Sequence, residues 1–440
     1  MKNKKYIQAI LAAVAGILLL LPAMFRDIKL ESAYPSDLRN RQVGSRLIED
    51  GKLPYFFHYK GEQDMRYLDI KNCGPLKVSN ITATPYLHEL FIPICDLPFR
   101  TFSTVWFVTC YLLLVIMYLL MQRISNNNPG KVIIWLTIVL FPYTEAWKTH
   151  IYQGQYYLLI PFLLVVFYWA FVKDKRWLYL LVLGTAAISL VLIRPTAILF
   201  LLPFVFLIKL YKKQFFSIIL LGIIAITCIM SSSFQRDLWN EYRESVKEQV
   251  KVHQHDNPTF INNPPCPDVP AVEGFKLAAQ GHYKKENVNA ECGNVHVLWQ
   301  MVFKQKLPLN FLYAGELLAI MILLFFFFFI HRKDCSFSLL NACFMGFALL
   351  MMADLCAPIS RTQYNTVQWL FPLLLIAQLK IRDSLRWYVL LLWIGLLLNI
   401  VNLHFIKMEH TIGEYLMLLA CMGIGLQKHI GQSNRNKRFT

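Results

Sequence analysis

The sequence predicts an all-α polytopic membrane protein with about 12 transmembrane helices, and three observations carry that prediction. The 440 residues are 56% hydrophobic and only 16% charged, where a soluble chain carries roughly a quarter. The apolar residues come in long uninterrupted runs, the pattern of spanning helices and not of a greasy globular core. The basic residues, in excess by a formal charge of +17, sit in short connectors between those runs. There they read as topology signals and not as a nucleic-acid footprint. Membrane lipids are expected partners and nucleic acid is not.

Taken in order, MKNKK precedes a first span at 6–25, which has no small-x-small cleavage site and so reads as an anchor that is kept. Residues 26–100 form a first large loop. Further spans are expected at 102–120, 132–146, 156–171, 177–193, 196–208 and 215–230. A second large loop covers 231–310, and the remaining spans fall at 311–330, 337–356, 366–379, 387–403 and 413–426. Lys or Arg marks every short connector on one side, from Arg123 and Lys131 to Lys380, Arg382 and Arg386. The short turns on the other side carry one each: Lys148, Arg194, Arg361 and Lys407. The positive-inside rule then places both termini in the cytoplasm and both large loops outside. Three units follow: a transmembrane module at 1–230, an extracytoplasmic lid at 231–310, and a C-terminal transmembrane module at 311–440.

Within the first loop, YPSDLRNRQVGSRLIEDGKLPYFFHY at 34–59 reads as an amphipathic helix. Ser36 is an N-cap type. Val43, Leu47 and Ile48 make a stripe at helical spacing, with Arg39, Arg41, Arg46 and Glu49 on the other face. Gly51 supplies a stop and Pro54 prevents resumption. Such a helix is expected to lie on the outer leaflet. The second loop starts helix-like and breaks at Pro258, Pro264, Pro265, Pro267 and Pro270. Cys73, Cys95, Cys266 and Cys292 lie in the loops, and two disulfides (Cys73–Cys95, Cys266–Cys292) or four thiols fit equally. The FFFFF at 325–329 reads as lipid-facing bulk.

Asp37 is the sharpest candidate for chemistry. A carboxylate kept beside a bilayer costs free energy, and an ionised Asp can take a proton from an alcohol that is becoming a nucleophile. The competing reading is a solvated Asp paired with Arg39 or Arg41. Arg194, just before a helix-breaking Pro195, and Arg361, just after Pro358, sit where the topology rule disfavours cations. A guanidinium there grips a phosphate with two hydrogen bonds, or simply snorkels to headgroups. Lys148, His150, Gln153 and Gln155 make a dense polar turn suited to a sugar or phosphate, with Tyr152, Tyr156 and Tyr157 able to stack on a pyranose or to form an interfacial belt. His88 and Glu89 read as loop residues, and Asp354 as a partner for Arg361. The chain has no Asp-x-Asp, no phosphate-binding Gly-rich loop, no H-E-x-x-H and no metal-ligand spacing, so no cofactor and no metal is expected.

An acid in the first outer loop, a helix behind it and many spans resemble the GT-C integral-membrane glycosyltransferases. The closer resemblance is to the family 87 polyprenol-phosphate-mannose-dependent mannosyltransferases. It rests on Asp37 followed by DGKLPYF at 50–56 with Tyr55, on ATPYLHELFIPICDLPFRTFSTVW with Pro85, Pro93, Pro98 and Trp106, on Gly154-Gln155, and on Arg194-Pro195. The Tyr-Pro-Pro element of the family is reduced here to Thr84-Pro85-Tyr86, and the likeness spans roughly 6–210. The resemblance implies a GT-C-like fold and a hexosyltransferase of the inner (plasma) membrane with its active site outside. Its donor is a polyprenyl-phosphate sugar, mannose first, and its acceptor a lipid- or glycan-linked hydroxyl. Asp37 is then the general base, and Arg194, Arg361 and Lys148 hold the donor phosphate. Gln155, His150, His88 and Tyr55 contact sugar or acceptor, and configuration inverts. Two other readings remain: an O-antigen-polymerase-like or ligase-like enzyme using a diphosphate-linked oligosaccharide, and a transporter or flippase of a lipid-linked sugar. A transporter favours internal repeats and mid-span polar residues, and here the polar residues sit at span ends.

Overall fold

The computed structural model describes residues 2–32, 35–57, 62–67, 81–125, 128–173, 176–208, 211–253, 293–332, 338–359, 361–379, 383–400 and 408–428. Every regular element among them is helical. Each of the twelve predicted apolar runs maps onto a helical segment. Among the described residues, four helices are long and apolar enough to cross a membrane: Phe99–Ile124, Lys212–Ser231, Leu309–His331 and Leu339–Cys356. Shorter apolar helices accompany them at Leu159–Val172, Trp177–Ile193, Pro195–Leu207 and Leu385–Ile400. The protein is a polytopic all-α membrane protein.

We number the helices in chain order. α1 (Lys2–Glu31) leads to α2 (Ser36–Glu49). α3 (Pro85–Phe91) precedes α4 (Phe99–Ile124) and α5 (Asn128–Leu140). α6 (Glu145–Gln153), α7 (Leu159–Val172), α8 (Trp177–Ile193) and the single turn α9 (Ile198–Leu201) follow. α10 (Lys212–Ser231) runs into α11 (Ser233–His253). The second half holds α12 (Val295–Phe303), α13 (Leu309–Arg332), α14 (Leu339–Cys356), α15 (Leu370–Leu375), α16 (Asp383–Ile400) and α17 (Glu409–Leu426).

α14 is the hub. Every residue from Leu340 to Leu355 is buried, and it packs against α9, α13 and α17. α10 and α13 are peripheral and expose Phe216, Ile223, Met230, Phe311 and Leu317. Of the run of five phenylalanines, Phe325, Phe326, Phe328 and Phe329 are exposed and Phe327 is buried. In hydrocarbon, apolar contact drives packing weakly, so interior polar bonds do more to choose neighbours. Asp27, fully buried on α1, is one such lock. It accepts from Arg26 Nε at 2.7 Å, from the Tyr111 hydroxyl of α4 at 2.7 Å and from Trp147 Nε1 of α6 at 2.6 Å. The sequence reading passed over this acid.

Three expectations are corrected. The turn at 145–155 is not irregular: Pro142 ends the preceding segment in a 3-10 turn, and Thr144 caps α6 by accepting from Trp147 N at 3.1 Å. The expected spans at 196–208 and 366–379 are broken into 3-10 and α pieces, because Pro195, Pro203 and Pro372 lack the N–H a continuous helix needs. Ser36 is not the N-cap; Pro35 holds that position and Ser36 Oγ donates to Gln153 Oε1 at 2.6 Å. α2 forms as the expected amphipathic helix, and Arg41, Gln42 and Ser45 are buried as well as its apolar stripe. Its polar face bonds to backbone instead of water: Gln42 Nε2 donates to the carbonyls of Cys95 and Leu97 at 2.9 and 2.8 Å, and Arg46 Nε to Cys95 at 2.8 Å. Its apolar face meets Tyr55, Ile81 and Leu238 of α11 in one cluster, so both large loops sit on the same end of the bundle. Gly51 stops the helix with φ +69°, as expected. Cys95 is a free thiol; Cys73, Cys266, Cys292 and the proline-rich segment lie outside the described residues.

Candidate active site

The first turn of α2 is clamped by the end of α6. Gly154 adopts φ +66°, and a Cβ there would stand 2.4 Å from Leu38 Cβ and 2.7 Å from Pro35 Cβ. Only glycine permits both the left-handed backbone and this approach. The turn then aims Gln155 at α2, where its side-chain amide donates to Asp37 Oδ2. Trp106 Nε1 of α4 fixes the Gln155 carbonyl at 3.2 Å. Gln155 therefore positions Asp37 directly, in addition to any contact with substrate. Asp37 is half-buried. Burial pushes its carboxyl above the usual carboxylate range, against the opposing pull of the Arg41 and Arg39 charges and the Gln155 hydrogen bond.

A group of aromatic rings lies beside this acid, and Tyr364 is close enough to feel its charge. The Arg41 guanidinium lies 5.5 Å from the Tyr156 ring centre. Tyr156 stacks on Tyr157 at 4.7 Å, and Tyr157 meets Tyr364 at 5.4 Å. Arg194 lies over Tyr157, the middle ring, at 5.4 Å and donates to its hydroxyl at 3.3 Å. Tyr242 of α11 approaches the same space, close enough to feel the charges of Arg194 and Arg41. Tyr156, Tyr157, Tyr242 and Tyr364 are each half-buried, so they line a cleft rather than fill a core.

Arg194 and Arg361, read separately from sequence, converge on one carboxylate. Arg194 Nη2 pairs with Asp354 Oδ1, and Arg361 Nε lies 2.9 Å from Asp354 Oδ2. Arg361 Nη1 also reaches Glu414 Oε2 at 2.5 Å. Glu414 further accepts from the Thr366 hydroxyl and Trp369 Nε1, each at 3.0 Å. The expected Asp354–Arg361 pair is present, widened into two cations on two buried acids. The sequence reading missed Glu414, Tyr242, Tyr364 and the interior position of Arg41. No local signal marks them, since each reaches the cleft from a different segment.

The other expected site residues lie elsewhere. Lys148 pairs with Glu145 on its own helix. His150 is fully buried, with Nε2 3.9 Å from Cys110 Sγ, and burial drives it down to about 3. His88 is not in a loop but on α3, fully buried beside Gly44, whose Cβ would collide with its ring at 2.4 Å. Burial and the Arg41 charge lower it to about 3 as well. Tyr55 is buried against His88, its hydroxyl donating to the Ala83 carbonyl at 2.6 Å. His150, His88 and Tyr55 thus brace the site from behind instead of facing the cleft. Among the described residues, Glu49, Cys95 and Asp96 come close enough to share a metal ion, but Arg66 already pairs with Glu49 and, at 2.9 Å, with Asp96.

Tyrosines, arginines and buried acids from both halves of an apolar helix bundle thus come together in one place. The family model described as Glycosyltransferase family 87 matches residues 84–358, more than half of the chain, and the protein belongs to that family of GT-C type membrane glycosyltransferases. The match begins later and extends further than the likeness read from sequence. It contains Gln155, Arg194 and Asp354, whereas Asp37, Arg41, Arg361 and Glu414 lie outside it. No curated protein and no solved structure was found to match.

Proposed function

We propose that this glycosyltransferase moves a hexose, mannose first, from a polyprenyl-phosphate donor to an acceptor hydroxyl in one inverting displacement. Asp37 accepts the hydroxyl proton, and the acceptor oxygen attacks the anomeric carbon. The bond from that carbon to the phosphate oxygen breaks, and the electron pair leaves with the polyprenyl phosphate. Arg194 and Arg361 face the leaving oxyanion, and the tyrosine rings that Asp37 and the arginines share are a platform for the pyranose. The observation that supports this reading is a half-buried carboxylate and an arginine pair gathered around the same tyrosine rings. A base and a leaving-group stabiliser at one sugar platform suit a single displacement.

The acceptor, lipid- or glycan-linked, reaches Asp37 from the end of the bundle where α2 and α11 meet. That end is extracytoplasmic in this reading, with both termini inside. Reporter fusions at residues 125, 240 and 430 test the orientation, with only 240 expected outside. The chemistry is tested by incubating purified protein with a panel of polyprenyl-phosphate sugars and following released lipid phosphate. Asp37→Asn should lower turnover by at least about 100-fold, the usual contribution of a general base. Full turnover in Asp37→Asn removes the base from the scheme.

A further inference from the structure

Arg41 stands apart from the other cations of the cleft. It lies on α2 one turn after Asp37 and is 4% exposed. Its backbone is held rigidly: the carbonyl accepts from Ser45 Oγ at 2.7 Å, and His88 Nδ1 lies 3.3 Å away. Its guanidinium rests on the Tyr156 ring. Yet among the described residues neither Nε nor Nη1 has a hydrogen-bond acceptor, and no carboxylate forms an ion pair with it. A buried guanidinium with two idle N–H groups is costly unless an anion completes it.

Arg194 and Arg361 differ from it in charge balance. Asp354 and Glu414 already balance them, two charges against two, and their N–H groups are partly committed. A phosphate arriving there has to compete with a buried carboxylate. At Arg41 it does not. A planar guanidinium offers several N–H donors to phosphate oxygens. The half-exposed rings of Tyr156 and Tyr242 leave an approach from the cleft.

We propose that Arg41 is a direct ligand of the donor's phosphate, making the anion site tripartite with Arg194 and Arg361. This rests on the lipid-phosphate donor proposed above. Arg41 touches the substrate, and its charge also favours the ionised form of the neighbouring base.

The test uses the full chain in nanodiscs, with two probes: a polyprenyl monophosphate and the matching polyprenol without phosphate. Arg41→Gln should weaken binding of the phosphate probe at least tenfold and leave polyprenol binding unchanged. Arg41→Lys, which keeps the charge but not the fork, should lose severalfold on the phosphate probe alone, and decides the matter if Arg41→Gln fails to fold. Excess inorganic phosphate should compete with the lipid phosphate in the wild type and much less in Arg41→Gln. Equal affinity of wild type and both variants for the phosphate probe overturns the assignment. So does an equal loss on both probes, which marks a packing role. A wild type that binds neither probe overturns the donor reading itself, and this ligand with it.

Discussion

Replacing Asp354 by Asn keeps the shape of the side chain and removes the charge that joins Arg194 to Arg361. Asp354 is 1% exposed and Arg361 3%, so water screens their pairing little, whereas Arg194 is 17% exposed and screened somewhat more. At an effective dielectric of 20, unit charges about 4 Å apart interact by about 4 kcal/mol. Arg361 retains Glu414, so the loss falls mainly on Arg194, and the two guanidiniums then repel. Removing one partner of a buried pair costs about 3–5 kcal/mol when nothing replaces it. With the Asn amide still accepting one bond, about 2–4 kcal/mol is expected. The assay is thermal unfolding of detergent-solubilised protein at a fixed scan rate, where Asp354→Asn should melt several degrees below wild type. Because the penalty is a stranded cation, Arg194→Gln in the Asp354→Asn background should recover part of it, giving a coupling of at least about 1 kcal/mol. Identical melting of Asp354→Asn and wild type, or strict additivity in the double variant, refutes the shared-carboxylate argument.

The raised Asp37 carboxyl means that the rate, which requires the ionised form, should climb with pH along a limb above the usual carboxylate range; a pH–kcat profile flat down to pH 4 contradicts this. By linkage, a carboxyl raised in the folded state stabilises the fold below its unfolded value and loses that contribution as pH rises through the folded one. Asp37→Asn should therefore be at least as thermally stable as wild type at pH 7 while inactive, and a markedly lower melting temperature argues against it. Gly154→Ala strains φ +66° and drives a methyl into Leu38, so kcat should fall roughly 10- to 100-fold through misplacement of Asp37, with donor affinity less affected; unchanged kcat excludes the clamp. Asp27→Ala strands Arg26, Tyr111 and Trp147 and should cost about 3–5 kcal/mol, with activity per folded molecule retained. A melting curve that matches wild type shows that this lock is dispensable.

Much of the fold was legible because its signals are local. Apolar runs find their helices by length alone, and Gly51 ends α2 because a left-handed residue is needed there whatever surrounds it. Proline breaks were visible at Pro195 and Pro358, but their consequence at Pro203 and Pro372 was not drawn, and two spans expected to be continuous are broken. The polar face of α2 was misjudged for a different reason. Arg41, Gln42 and Arg46 look solvated in sequence, and what satisfies Gln42 and Arg46 is the backbone at 95–97, some fifty residues on.

By itself, the sequence determined the class: helices that must span, acids and arginines placed at their ends, and an order of short motifs shared with one family. Those properties follow from chain length, periodicity and the cost of charge in hydrocarbon, none of which requires knowing a neighbour. Only the tertiary structure decided which charges meet. Asp37 finds Gln155, Arg194 and Arg361 share Asp354, and Glu414 joins them, because helices distant in sequence pack so as to leave few ions buried alone. The same packing leaves two N–H groups of Arg41 without an acceptor among the described residues, and turns His88, His150 and Tyr55 from candidate ligands into supports.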